Sequence, residues 1–186
     1  MQSEKIVRIG EKIVSVDRVK RLLDRILSLR AEGLSQQEVA RRLSIDRSFI
    51  SRLEVIGEVR KGKRVAVIGF PVANRDELEK ICRDRGLEFT LLMTNRERWS
   101  MADGKQAVDF FNEVLEIIAR LRNYEVLVMV TSEKWYPLAE ALLDCQIVYL
   151  NLGSTPVQQD CHVDPGQFRA LLEQVVDDTA ADKEEN

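Results

Sequence analysis

Arg47, Ser48, Ser51 and Arg52 are the side chains of this chain best spaced for one kind of chemistry. They recur along one flank of a short helical stretch, and each donates hydrogen bonds outward. A guanidinium is a planar fork that matches guanine O6 and N7, while serine hydroxyls reach base edges or phosphate oxygens. Gln36 and Arg41, one element earlier, add donors suited to a phosphodiester backbone. Arg42 is as well explained by an exposed, solvated face. The partner such a set implies is double-stranded DNA.

Donors of this kind work only if a buried face holds them in place. Residues 34–54, LSQQEVARRLSIDRSFISRLE, read as two short helices joined by a tight turn. Val39, Ala40 and Leu43 are the inward positions of the first helix. Ile45 plugs the turn, and Ile50 and Leu53 anchor the second helix. Ala40 falls where the helices cross, a place for a small side chain. Ser35 with Glu38 forms a Ser-x-x-Glu capping box, and Asp46 caps the second helix after the Ser44-Ile45-Asp46 turn. These residues resemble helix-turn-helix transcription regulators of the phage repressor and Cro type, over about 21 residues. The resemblance rests on Ser35-Gln36, Val39-Ala40, Ser44-Ile45-Asp46 and the run from Ser48 to Glu54. It implies that Gln36 bonds a phosphate and that Arg47, Ser48 and Ser51 lie against the major groove, with Arg41 and Arg52 on phosphates. Ser44 stands where that family usually has glycine, so it must accept a left-handed backbone angle. Too few residues remain before the next strand for further helices, so the expected unit is the minimal three-helix form.

The charge is unevenly spread. The whole chain carries a net charge of −3. Residues 1–64 hold 16 Lys/Arg against 9 Asp/Glu, and residues 65–186 hold 12 against 22. A basic front (+7) and an acidic back (−10) suit a polyanion binder at one end. With 45% hydrophobic and 32% charged residues, the 186-residue chain has the composition of a globular protein of one or two domains. No run approaches the ~20 apolar residues of a membrane span, and the first residues lack the apolar core of a secretory signal. A cytoplasmic protein with no membrane partner is the expectation. Cys82, Cys145 and Cys161 have no paired spacing, and the first two read as buried small hydrophobes.

Around the motif, residues 5–16 alternate about Gly10-Glu11 like a short hairpin or arm. Asp17 is the expected cap of a helix reaching Ala31, with Val19, Leu22, Leu23, Ile26, Leu27 and Leu29 as its stripe and Gly33 as its stop. Residues 55–63 read as a small wing or a linker. From Arg64 the pattern changes to apolar strand runs at 64–70, 89–93, 125–130 and 146–150, separated by helices. The helices are expected near 74–85 (Asn74 with Glu77 as cap), 106–122, 137–143 and 165–176. Val108, Phe111, Leu115 and Ile118 are the expected inward stripe of the long one. Apolar strands alternating with helices imply a parallel sheet covered on both faces. The expected fold is therefore α/β: a three-helix helix-turn-helix unit (1–62), a small Rossmann-like domain with a parallel four-stranded sheet (63–176), and a disordered acidic tail (177–186).

A second candidate site lies at the carboxyl ends of those strands, where open α/β sheets hold ligands. Asn74, Arg75, Thr131, Ser132 and Lys134 stand in the loops there and suit a small anionic effector. No loop has GxGxxG or GxxxxGK[ST] spacing, and Pro71 lacks an amide donor, so a purely structural domain is the competing reading. Cys161-His162 are adjacent and lack a partner pair for a metal, and nothing orients them as a nucleophile and base. Glu113, Glu116, Glu125 and Glu133 form no evident acid/base pair. Trp99 and Trp135 read as packing residues. No catalytic residue, metal or cofactor is expected.

The expectation is thus a DNA-binding transcription regulator, not an enzyme. It acts as a homodimer on paired half-sites, with its α/β domain serving dimerisation or effector sensing and the helix near 18–31 as the other candidate for the dimer contact. The alternatives are a nucleotide- or phospho-ligand-handling enzyme domain with a helical appendage, and a protein-interaction element of a DNA-associated assembly.

Overall fold

The computed structural model describes residues 4–101, 103–153 and 157–177. The chain is a mixed α/β protein whose described residues form six strands and eight helices. It divides into two compact units, Met1–Glu58 and Val59–Asn186.

The first unit opens with an antiparallel hairpin, β1 (Ile6–Ile9) and β2 (Lys12–Ser15), in the register Ile6 to Ser15 and Ile9 to Lys12. Three helices follow: α1 (Val16–Ala31), α2 (Gln36–Leu43) and α3 (Arg47–Ile56). The cap of α1 is Ser15 rather than Asp17: its Oγ accepts from the Arg18 N–H at 3.1 Å. Asp17 lies in the first turn, and its carboxylate accepts from the Lys5 N–H at 3.0 Å, tying hairpin to helix. The core is Ile26, Leu29, Val39, Ala40 and Ile50, with Leu22, Leu34, Leu43, Ile45 and Leu53 packed around it. Val19 and Leu27, expected in the α1 stripe, are exposed instead.

The second unit is built on a parallel sheet of β3 (Val65–Gly69), β4 (Phe89–Leu92), β5 (Val126–Thr131) and β6 (Gln146–Asn151). The strand order is β4-β3-β5-β6. β3 and β5 are buried along their whole length, which is why they read as unbroken apolar runs. The helices are α4 (Arg75–Asp84), α5 (Asn95–Ser100), α6 (Ala107–Leu121), α7 (Trp135–Leu142) and α8 (Pro165–Val175). On one face α4 and α8 bury Leu78, Ile81, Phe168 and Leu172 against the sheet. On the other, α6 and α7 bury Leu121 and Ala139, with Ile117 and Ile118 beside them.

Four expectations change here. The inward side of α6 is Phe110, Val114, Ile117, Ile118 and Leu121, while Val108, Phe111 and Leu115 point outward. Residues 59–63 are neither wing nor free linker. Gly62 is buried and pairs with Val176, its N–H bonding Val175 O at 2.8 Å and its O accepting from the Asp177 N–H at 3.0 Å. A β-carbon there would stand 2.7 Å from Val126 Cγ2. Asp177 therefore belongs to the packed unit, and the rest of the expected tail lies outside the described residues. Finally, Arg60, Lys61, Lys63 and Arg64 fall in the second unit. The first unit holds 12 Lys/Arg against 9 Asp/Glu, a net of +3, and the second 16 against 22, a net of −6.

Candidate nucleic-acid interface

The α2–α3 pair is locally over-determined. Ser35 Oγ accepts from the Glu38 N–H at 3.2 Å, and the Glu38 carboxylate accepts from the Ser35 N–H at 2.8 Å. The Ser35 hydroxyl also donates to the Glu38 carboxylate at 2.6 Å, and that bond, then the one from the Ser35 N–H, holds the Glu38 carboxyl below its ordinary range. α2 ends on Ser44 at φ 53°, ψ 45°, the left-handed angle its position demanded. Asp46 then caps α3, accepting from the Ser48 N–H at 2.8 Å, and that bond holds its carboxyl below the usual carboxylate range.

With Ile50 fully buried, the opposite side of α3 points to solvent. Arg47, Ser48 and Arg52 are exposed and Ser51 is half-buried. At 100° per residue, Ser48, Ser51, Arg52 and Val55 fall on one outer flank, with Arg47 at its edge. Arg41 and Arg42 are exposed on α2. Val55 was not singled out in the sequence, where residues 55–63 read as a wing or linker, but α3 continues through it to Ile56. It is 68% exposed and places a methyl-bearing surface on the polar face.

Gln36 is placed differently from the resemblance. It is half-buried, and its Nε2 donates to Glu54 Oε2 at 2.7 Å, while its Oε1 accepts from Arg47 Nε at 3.4 Å. Arg30, at the end of α1, donates to the same Glu54 carboxylate and to the Leu34 carbonyl. Arg30, Glu54, Gln36 and Arg47 thus form one chain of contacts across three helices. The hydrogen bond from Arg30, then that from Gln36, holds the Glu54 carboxyl below its ordinary range. In this arrangement Gln36 braces α2 against α3 and steadies the base of Arg47. Arg30 and Glu54 were not anticipated, because residues 24 apart in sequence carry no local spacing signal.

The carboxyl end of the sheet is built otherwise. The strand order reverses between β3 and β5, so the crevice there is flanked by the loops after those strands. Phe70 and Trp135 meet edge-to-face across it, ring centroids 5.3 Å apart, and the Arg98 guanidinium lies 5.7 Å from the Phe70 ring. Asn74 sits at the start of α4 but makes no cap bond. Its side chain instead clamps Val163, donating to the carbonyl at 2.9 Å and accepting from the N–H at 3.0 Å. Arg75 is paired with Glu97 at 2.8 Å and Asp76 at 3.2 Å. Thr131 is buried and donates to the Ser132 carbonyl at 3.3 Å, Ser132 is buried, and Lys134 is exposed ahead of α7. Cys161 is likewise a backbone element, bridged in parallel to Val72. Cys82 is buried, and that burial pushes its thiol up to about 11, away from thiolate chemistry.

Among the described residues no helix is long and apolar enough to cross a membrane, and no group of three or more His, Cys, Asp or Glu could hold a metal ion. No protein-family model, curated protein or solved structure matches the chain with significance.

Proposed function

We propose that this chain is a sequence-specific DNA-binding transcription regulator of the cytoplasm. The α2–α3 pair acts as a helix-turn-helix, α3 lies in the major groove, and the second unit is a Rossmann-like scaffold. The observation that carries this reading is the division of α3. One side is locked into the three-helix core by Ile50, and the other leaves Arg47, Ser48, Ser51 and Arg52 facing out, capped by Asp46 and braced through Gln36. Arg47 reads a guanine, Val55 contacts a thymine methyl, and Arg41 and Arg52 meet phosphates. One such unit spans few base pairs, so the protein works as a dimer on two half-sites about one helical turn apart.

Selection of bound oligonucleotides from a random pool with the full chain tests this. The expected result is a short repeated half-site, one position of which becomes degenerate with Arg47→Ala. Recovery of no common sequence, or the same sequence at the same affinity from both proteins, overturns it.

A further inference from the structure

Helix α6 has two apolar sides. Ile117, Ile118 and Leu121 pack on the sheet, and half-buried Phe110 and Val114 lie on the same side of the helix. Val108, Phe111 and Leu115, at i, i+3 and i+7, face away and are 65%, 60% and 45% exposed. Single exposed apolar side chains are ordinary, but a continuous row along one helix is not. Leu138 and Leu142 of α7 are also exposed, on the helical layer that covers the same face of the sheet.

The charges on α6 say what covers this row. Asp109, Glu113 and Glu116 lie in its amino-terminal two-thirds, Glu113 paired with Lys105, and Arg120, over the Phe89 ring, and Arg122 stand at its carboxyl end. A second α6 laid antiparallel sets the basic end of each helix beside the acidic stretch of the other, whereas a parallel one sets like charges together. Shape agrees. With the two-fold axis at Leu115, near the middle of the 15-residue helix, each Phe111 lies opposite the small Ala119 of the other copy. Each Val108 then lies opposite the stem of Arg122, whose guanidinium is 3.5 Å from the Leu142 carbonyl of its own chain. We propose that a second copy of this chain docks on α6, the two helices antiparallel about an axis at Leu115. A stable interface covers about 800 Å² per partner, so α7 contributes through Leu138 and Leu142. The proposal deepens the DNA-binding reading, on which it rests only for the use of the dimer.

The test needs no DNA, so its failure is separate from failure of that reading. Sedimentation of the full chain should give a dimer. Phe111→Glu should raise the dimer dissociation constant about a hundredfold and leave the melting of the second unit in place, since this side chain contributes little to the monomer core. In a Cys145→Ser, Cys161→Ser background, mild oxidation should cross-link Leu115→Cys to itself across the axis. Val108→Cys should not cross-link, because antiparallel packing separates the two copies of this position by about 21 Å. A monomeric wild-type chain, a dimer that survives Phe111→Glu, or equal cross-linking at both positions overturns the proposal.

Discussion

The outer side of α3 and the carboxyl end of the parallel sheet each gather cations and hydroxyls, yet the two regions spend them differently. At the sheet, Arg75 is held by Glu97 and Asp76, Asn74 is locked onto Val163, and Thr131 and Ser132 are buried. On α3, Ser48 and Arg52 stay exposed, while the two carboxylates nearby are engaged, Glu54 by Arg30 and Gln36 and Asp46 by the Ser48 N–H. In one place acids neutralise the cations on which a ligand would rely. In the other, the acids are consumed by the scaffold and the cationic edge is left open. Residue type alone does not make a site; what matters is whether each polar group's partner lies within the fold.

The widest separation between the regions should come from Ile50→Ala. Emptying a fully buried isoleucine costs about 2–5 kcal/mol. A unit of 58 residues has only about 3–9 kcal/mol in total at ordinary stability per residue. Calorimetry should show the first unit's transition largely lost and the second unit's unmoved, with DNA binding abolished. A single transition shifted as a whole would show that the two units do not melt separately. Next in size is the contrast of Arg47→Ala with Arg75→Ala. The first should lose about 1–3 kcal/mol of discrimination against the wrong base, roughly 5- to 150-fold in affinity ratio. The second should leave duplex affinity unchanged. Fluorescence anisotropy with the selected and a scrambled duplex measures both, and equal losses from the two variants would erase the distinction between the regions.

Local signals were legible in the chain and distant ones were not. Ser35, Glu38, Ser44 and Asp46 act over three or four residues, so their caps and the left-handed turn follow from spacing. The sheet's strands were readable because burial on both faces leaves β3 and β5 uninterrupted. Helix α6 misled for a physical reason. With apolar residues on opposite sides, periodicity fits either as the inward one, and Val108, Phe111 and Leu115 form the cleaner row. The short α5 was missed because six residues, NRERWS, carry no apolar stripe, only the Thr94–Glu97 capping box. The sheet-end residues were legible as types, but their commitment to Val163 and Glu97 depends on long-range packing. The Arg30–Glu54 pair was hidden for the same reason.

That pair gives a smaller, pH-dependent effect confined to the first unit. The Glu54 carboxyl has its folded-state pKa depressed, so its contribution is full above the unfolded value of about 4.3. It is lost as pH falls through the folded value. A partly exposed ion pair of this kind is worth about 1 kcal/mol or less. Urea unfolding of the first unit should therefore weaken on acidification below about pH 4.3, and Glu54→Gln should flatten that part of the profile. An unchanged acid slope in the variant would assign the titration to other carboxylates, such as Glu38 and Asp46, whose pKa values are also lowered.

The remaining effect should be a gain, at Ser44→Gly. An L-residue in the left-handed region pays roughly 1–2 kcal/mol that glycine does not. Glycine in turn loses about 0.5–1 kcal/mol more backbone entropy on folding. The difference leaves the variant more stable by up to about 1.5 kcal/mol. Ser44 is exposed and its cap bond uses backbone N–H, so no side-chain contact opposes the gain. Chemical denaturation should place the midpoint of the first unit slightly higher, with DNA affinity and the second unit unaltered. A loss of stability would mean that the serine side chain, rather than the backbone angle, governs this turn. Because the left-handed angle sets how α3 leaves α2, unchanged DNA affinity in a more stable variant would also show that glycine keeps the same turn and that the outer face of α3 keeps its aim.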